Sequence, residues 1–278
     1  MKTAVGAYGL RVAGLSERVH TLLGPAPPNW PRIQLVAAEG VGAGDSAATF
    51  TAAHARVPLP DGGEIVVTRS PLVAEVRAPV RPPDAELLHP YLGYAAVVAA
   101  RWLGRDCVHA GAFVVDGGAF ALVGGRGTGK SSLLGWLSEK GRAVVCDDLL
   151  VVRAGSVLAG PRFVDLRVEA AEQLAAGEPL GVVGARERWR LPLAPVAPEL
   201  PLRGWLFLEW GDDVAVERIS AADAIMRIQE QLSVFVTPRE PAALLDLASF
   251  PAWRVRRPAR WDSMAATVSD MLAAVRGA

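Results

Sequence analysis

Eight consecutive residues, Gly124-Gly125-Arg126-Gly127-Thr128-Gly129-Lys130-Ser131, match the pattern G-x-x-x-x-G-K-[ST] at every fixed position. The chemistry accounts for the spacing. Glycines let a backbone wrap around an anion, so that successive N–H groups point inward. A helix beginning at Lys130 aims the positive end of its dipole at the same charge. The lysine then reaches the β- and γ-phosphates of a nucleoside triphosphate, and the Ser131 hydroxyl supplies a ligand to Mg²⁺. With Ser132 next on the helix, residues 124–132 form the expected ATP-binding set, a P-loop. A dinucleotide-binding reading fits poorly: G-x-G-x-x-G is out of register with these glycines and leaves Lys130-Ser131 unexplained.

Three more side chains should converge on this loop. The apolar runs Cys107 to Val115 and Ala119 to Val123 flank Asp116-Gly117-Gly118, a hairpin signal. Pairing about Gly117 gives each residue a partner numbered near 234 minus its own, which sets His109 opposite Gly125, give or take one residue. The run Ala143 to Cys146 should lie parallel to Ala119–Val123 through a right-handed helical crossover. Its carboxyl end then opens on the ligand-binding edge of the sheet and brings Asp147 and Asp148 beside the phosphates. Adjacent carboxylates at a strand end can divide two tasks, holding Mg²⁺ and accepting a proton from an attacking hydroxyl. Cys107, His109 and Cys146 lack a fourth ligand for a zinc site. Both cysteines read as small apolar packing residues.

The elements that must position these groups follow from pattern. Residues 1–83 read as a β-rich N-terminal region without recognisable chemistry, with strands at Glu64–Arg69 and Val73–Arg77 and a turn at Asp61-Gly62-Gly63. A Pro-rich stretch, Pro79 to Pro83, marks the boundary to the domain that carries the P-loop, over 84–278. A helix over Pro90 to Leu103 buries Tyr91, Leu92, Ala95, Val98, Ala99 and Trp102 on one face and stops at Gly104. The loop helix should span Lys130 to Lys140, ending at Gly141. Further on, strands are expected at Gly204–Trp210 and Val214–Ile219. Three helices follow: one capped by Ser220 and Asp223, one over Pro241–Ala248, and one from Ser263 towards Ala274.

Composition narrows the partners. Lys plus Arg and Asp plus Glu number 29 each, so no bulk field draws in nucleic acid or an anionic membrane. Lys2, Lys130 and Lys140 are the only lysines, and one of them stands where the motif requires it. Apolar residues form 51% of the chain, which indicates a globular protein. Neither a signal peptide nor a membrane span is legible, and two cysteines fit a reducing compartment, so a cytoplasmic protein is expected.

The segment from His109-Ala110-Gly111 through the hairpin and P-loop to Val144-Val145-Cys146-Asp147-Asp148 resembles the core of HPr kinase/phosphorylase. The ending His-Ala-Gly and the overall length look most similar to HPr-kinase-like enzymes found with lasso peptides and related biosynthetic systems. The resemblance covers Cys107 to Asp148 closely and extends diffusely to Ala224. It implies an α/β fold related to phosphoenolpyruvate carboxykinase, with the P-loop in a mixed sheet flanked by helices. It implies Asp147 as general base, with Asp148 and His109 supporting the base and the metal. Val164-Asp165-Leu166-Arg167 stands where the family carries a Glu-x-Arg signature, so Asp165 is implied as a metal ligand and Arg167 as the arginine. The glycine that follows that signature is replaced by Val168.

The reading is an ATP- and Mg²⁺-dependent serine kinase acting on a peptide or protein, with a biosynthetic precursor peptide as the acceptor the resemblance favours. A small-molecule kinase and a non-catalytic nucleotide sensor are the rivals, and a homo-oligomer stays open.

Overall fold

The computed structural model describes residues 4–40, 47–59, 62–183, 186–232 and 241–277; the expected turn residue Asp61 lies outside them. The chain forms a mixed α/β fold with several sheets and flanking helices. Among the described residues no helix is long and apolar enough to cross a membrane.

The N-terminal region builds an eight-stranded sheet. Arg32–Glu39 runs parallel to Val73–Ala78, which pairs antiparallel with Glu64–Thr68. Alternation decides which face is buried: Ala74, Val76 and Ala78 face inward, while Val73, Glu75 and Arg77 are half-buried. Helix Leu92–Trp102 covers that face. It starts just after Pro90 and ends where Gly104 turns to φ +67°, a conformation open to glycine. One hydrophobic core joins Ile33, Ile65 and Val76 of the sheet to Leu92 and Val98 of the helix, and to Leu149, Val151 and Leu158 further along. It therefore runs across residue 83.

The second sheet has nine strands. Gly118–Val123 lies in its middle, antiparallel to Ala110–Val115 and parallel to Glu199–Trp210. The tight turn of the hairpin has positive φ at both Asp116 and Gly117, as two-residue hairpin turns require. Its register sums to 233, with Ala110 opposite Val123. One further step sets His109 opposite Gly124, within the allowed residue of the expected position. Val144–Cys146 runs in the same direction as Gly118–Val123 but is not its neighbour, because Ala110–Val115 lies between them. The single run expected over Cys107–Val115 is broken at His109. Asp106–Val108 pairs with Leu150–Arg153, whereas Ala110–Val115 pairs with the hairpin and with Val144–Cys146. At the break, the His109 N–H donates to the Gln231 carbonyl at 2.7 Å, so it stays satisfied without a ladder partner.

A third, three-stranded sheet pairs Arg186–Pro192 with Phe163–Leu166 and Glu178–Val183. The last strand, Ala252–Arg257, lies parallel to Glu199–Trp210 with Arg257 opposite Trp210.

Candidate active site

The carboxyl end of Gly118–Val123 leads into the glycine-rich loop, and helix Lys130–Glu139 starts directly after it. Gly127 and Gly129 hold φ of +88° and +80°. The loop is closed on itself by Thr128, whose hydroxyl donates to the Gly125 carbonyl at 2.9 Å. A Cβ on Gly124 would lie 2.6 Å from that hydroxyl, so this position has no room for a side chain. A cleft of about 800 Å³ opens over the helix N-terminus. Arg126, Gly127, Gly129, Lys130, Ser131 and Ser132 line it, while Gly124, Gly125 and Thr128 do not.

Lys130 is buried, and its ammonium donates to the Gly124 carbonyl at 2.6 Å and meets His109 Nε2 at 3.2 Å. An ammonium can only donate, so Nε2 accepts and Nδ1 carries the imidazole proton. That proton is given to the Asp148 carbonyl at 2.9 Å. Burial, and then the Lys130 charge, hold His109 below its usual pKa, so the ring stays neutral. Burial likewise lowers Lys130. His109 thus ties the lysine to the backbone of the acidic pair. Replacing it with alanine should slow turnover by about ten-fold and leave ATP affinity nearly unchanged, because it positions groups rather than holding phosphate. Calorimetry showing affinity falling as far as the rate would place the ring on the nucleotide instead.

The two aspartates face different ways. Asp147 is only 8% exposed and accepts from the Ser131 hydroxyl at 3.2 Å. Burial, and then its neighbour Asp148, push its carboxyl well above the usual range. The Asp148 side chain is 40% exposed and lines the cleft, with His89 Nε2 at 3.5 Å. Its φ of +61° is uncommon for a residue with a side chain, and the His109 bond to its carbonyl helps to hold it there. The two carboxylates therefore differ in setting: Asp147 rests on the Ser131 hydroxyl, and Asp148 opens on the cleft.

Both oxygens of Asp165 accept from Arg190 at 2.7 Å, in a buried ion pair beneath which Phe163 stacks. Asp165, expected as a metal ligand, lines the cleft with both its oxygens engaged by Arg190. Among the described residues no group of three or more His, Cys, Asp or Glu could hold a metal alone. Ser131 and Asp147 fit Mg²⁺ as hard oxygen donors, since that ion is commonly held by one or two carboxylates, with water and phosphate completing the shell. Burial pushes the Cys107 and Cys146 thiols up, which keeps them as packing residues.

Sequence reasoning missed Tyr8, His89, Arg186, Arg188, Trp210 and Arg257, all of which line the cleft. His89-Pro90 directly before a helix was the one local signal. The others reach the cleft only through long-range pairing. Arg167, at the start of helix Val168–Leu174, lines it too.

No protein-family model and no curated protein matches this chain. Among solved structures it is similar to the HPr(Ser) kinase/phosphatase from Coxiella burnetii at 13% identity, with a TM-score of 0.30, over 62% of this chain and 95% of that one.

Proposed function

We propose that the protein is an ATP- and Mg²⁺-dependent kinase that transfers the γ-phosphate to a hydroxyl, a serine of a peptide or protein. The observation that carries this reading is the meeting of Lys130, Ser131, the acidic pair and His109 at one helix N-terminus under an open cleft. The loop amides and Lys130 hold the β- and γ-phosphates. Ser131 and Asp147 would hold Mg²⁺, which would supply positive charge against that developing on the phosphate. Asp148 takes the proton from the attacking hydroxyl, and His89 orients its carboxylate. His109 fixes the backbone that aims Asp148.

Burial of Asp147 on its own favours a nucleotide sensor, but the open Asp148 beside it supplies the base that a sensor lacks. The cleft volume of about 800 Å³ is toward the upper end of the roughly 300–1,000 Å³ typical of small-molecule sites, which leaves room for an acceptor beside the nucleotide. Val168 opens a helix where the resembling family carries glycine, which supports a one-way kinase without phosphorylase activity.

The test is incubation with ATP, Mg²⁺ and serine-containing peptides, among them the peptide encoded nearest the gene, followed by mass spectrometry. One added phosphate on serine, unreversed by excess inorganic phosphate, is the expected result. Phosphorylation of free metabolites with peptides untouched would establish the small-molecule kinase. ATP binding without any transfer would establish the sensor.

A further inference from the structure

Arg257 ends the last strand of the second sheet, directly behind the glycine-rich loop, and is 2% exposed. Its guanidinium lies over the ring of Trp210 at 4.4 Å and donates from Nη2 to the Thr128 carbonyl at 3.3 Å. Among the described residues Nη1 faces only the Met264 sulfur at 3.7 Å, and the buried Nε has no partner. A Cβ placed on Gly129 would come within 2.3 Å of Nη2, so the charge lies against the residue that opens the loop helix.

A buried charge is costly unless it is paired. The other buried arginines of the fold obey that rule or evade it by geometry. Arg190 has a bidentate carboxylate in Asp165. Arg105 is held by two backbone carbonyls, those of Tyr8 and Gly9, and does not line the cleft. Arg257 has neither arrangement. Burial alone lowers its pKa to about 10, with no neighbouring acid acting against it.

We infer that Arg257 is a built-in counter-charge for a polyphosphate on the glycine-rich loop, a buried cation that the bound anion completes. It is a positioning residue that acts through Gly129 and Thr128, and the inference rests on the nucleotide reading above. A purely structural brace would need only shape and one donor. A counter-charge must be positive, and it leaves the ligand-free protein less stable than a neutral side chain would.

The experiment measures melting temperature without ligand, and the affinity for inorganic tripolyphosphate and for ATP, each with Mg²⁺. It uses the full chain and the variants Arg257→Met and Arg257→Lys. The Met variant should melt at the same temperature as the parent or higher, since replacing a buried ion by an apolar side chain is often neutral or stabilising. It should bind tripolyphosphate at least ~10-fold more weakly, as expected for loss of a charge-assisted contribution of about 1.4 kcal/mol. The Lys variant keeps the charge and should stay within ~3-fold of the parent. Arg257→Gln, whose neutral amide can still donate to Thr128, is measured alongside with the same outcomes expected, and separates the loss of charge from the loss of the donor. A Met variant that melts several degrees lower, or binds as tightly as the parent, overturns the inference, as does a Lys variant as weak as Met. If the parent binds neither ligand, the nucleotide reading falls first and this inference with it; normal parent binding unchanged in the variants sinks the role of Arg257 alone.

Discussion

If the protein is the proposed kinase, replacing Lys130 with alanine should abolish phosphoryl transfer and weaken ATP binding by about ten-fold or more, because a desolvated charge beside developing phosphate charge is among the largest catalytic contributions. The surroundings of the lysine suit that task. It sits 6% exposed, with its ammonium parked on the Gly124 carbonyl and on His109. Incoming phosphate oxygens can replace those partners without moving the backbone. Isothermal calorimetry and a single-turnover assay check the two arms separately. Unchanged affinity together with full turnover would remove the loop from the chemistry altogether.

The acidic pair gives the second large effect. Asp148→Asn keeps the shape of the only cleft-facing carboxylate of the pair but loses its basicity, so transfer should fall by ~10² or more while ATP still binds. Asp147→Asn should instead raise the Mg²⁺ concentration needed for half-maximal rate. It should also change stability with pH, and the direction follows from the raised carboxyl of Asp147. A group whose folded pKa lies above its unfolded value contributes stability at low pH, and that contribution is lost as pH climbs through the folded pKa. The neutral asparagine loses nothing on that climb. The variant should therefore melt above the parent near pH 8, and the gap should close towards pH 4. If Asp147→Asn proves to be the change that stops transfer at saturating Mg²⁺, the base is Asp147 and the division drawn from exposure is reversed.

Much of this arrangement was legible in local chemistry. The hairpin, the loop, its helix and the acidic pair are close in sequence, and the turn residues fix the register to within one residue. The Ser220 cap is present too, with its hydroxyl accepting from the Asp223 N–H at 3.1 Å. What escaped depends on distant partners. Strand Arg186–Pro192 carries four charged residues in its first five, a pattern that reads as solvated surface, yet it delivers Arg186 and Arg188 to the cleft. The pairing of Asp165 with Arg190 joins residues 25 apart, which local pattern does not reveal. The opposite orientations of Asp147 and Asp148 depend on a left-handed residue that no periodicity encodes.

The core that crosses residue 83 bears on how this protein tolerates mutation. Ile33, Ile65 and Val76 pack into the same cluster as Leu149 and Val151, which follow the acidic pair within a few residues. The backing of the candidate site is thus supplied in part by a region whose described residues lend the cleft only Tyr8. In a saturation scan, damaging substitutions should scatter through the first sheet wherever a side chain points inward, and weigh less at the alternate, half-buried positions. Their signature would be reduced abundance with normal specific activity per folded molecule. A reader of such a map could take the first sheet for a second functional centre, when it is the wall that keeps the aspartate turn in place.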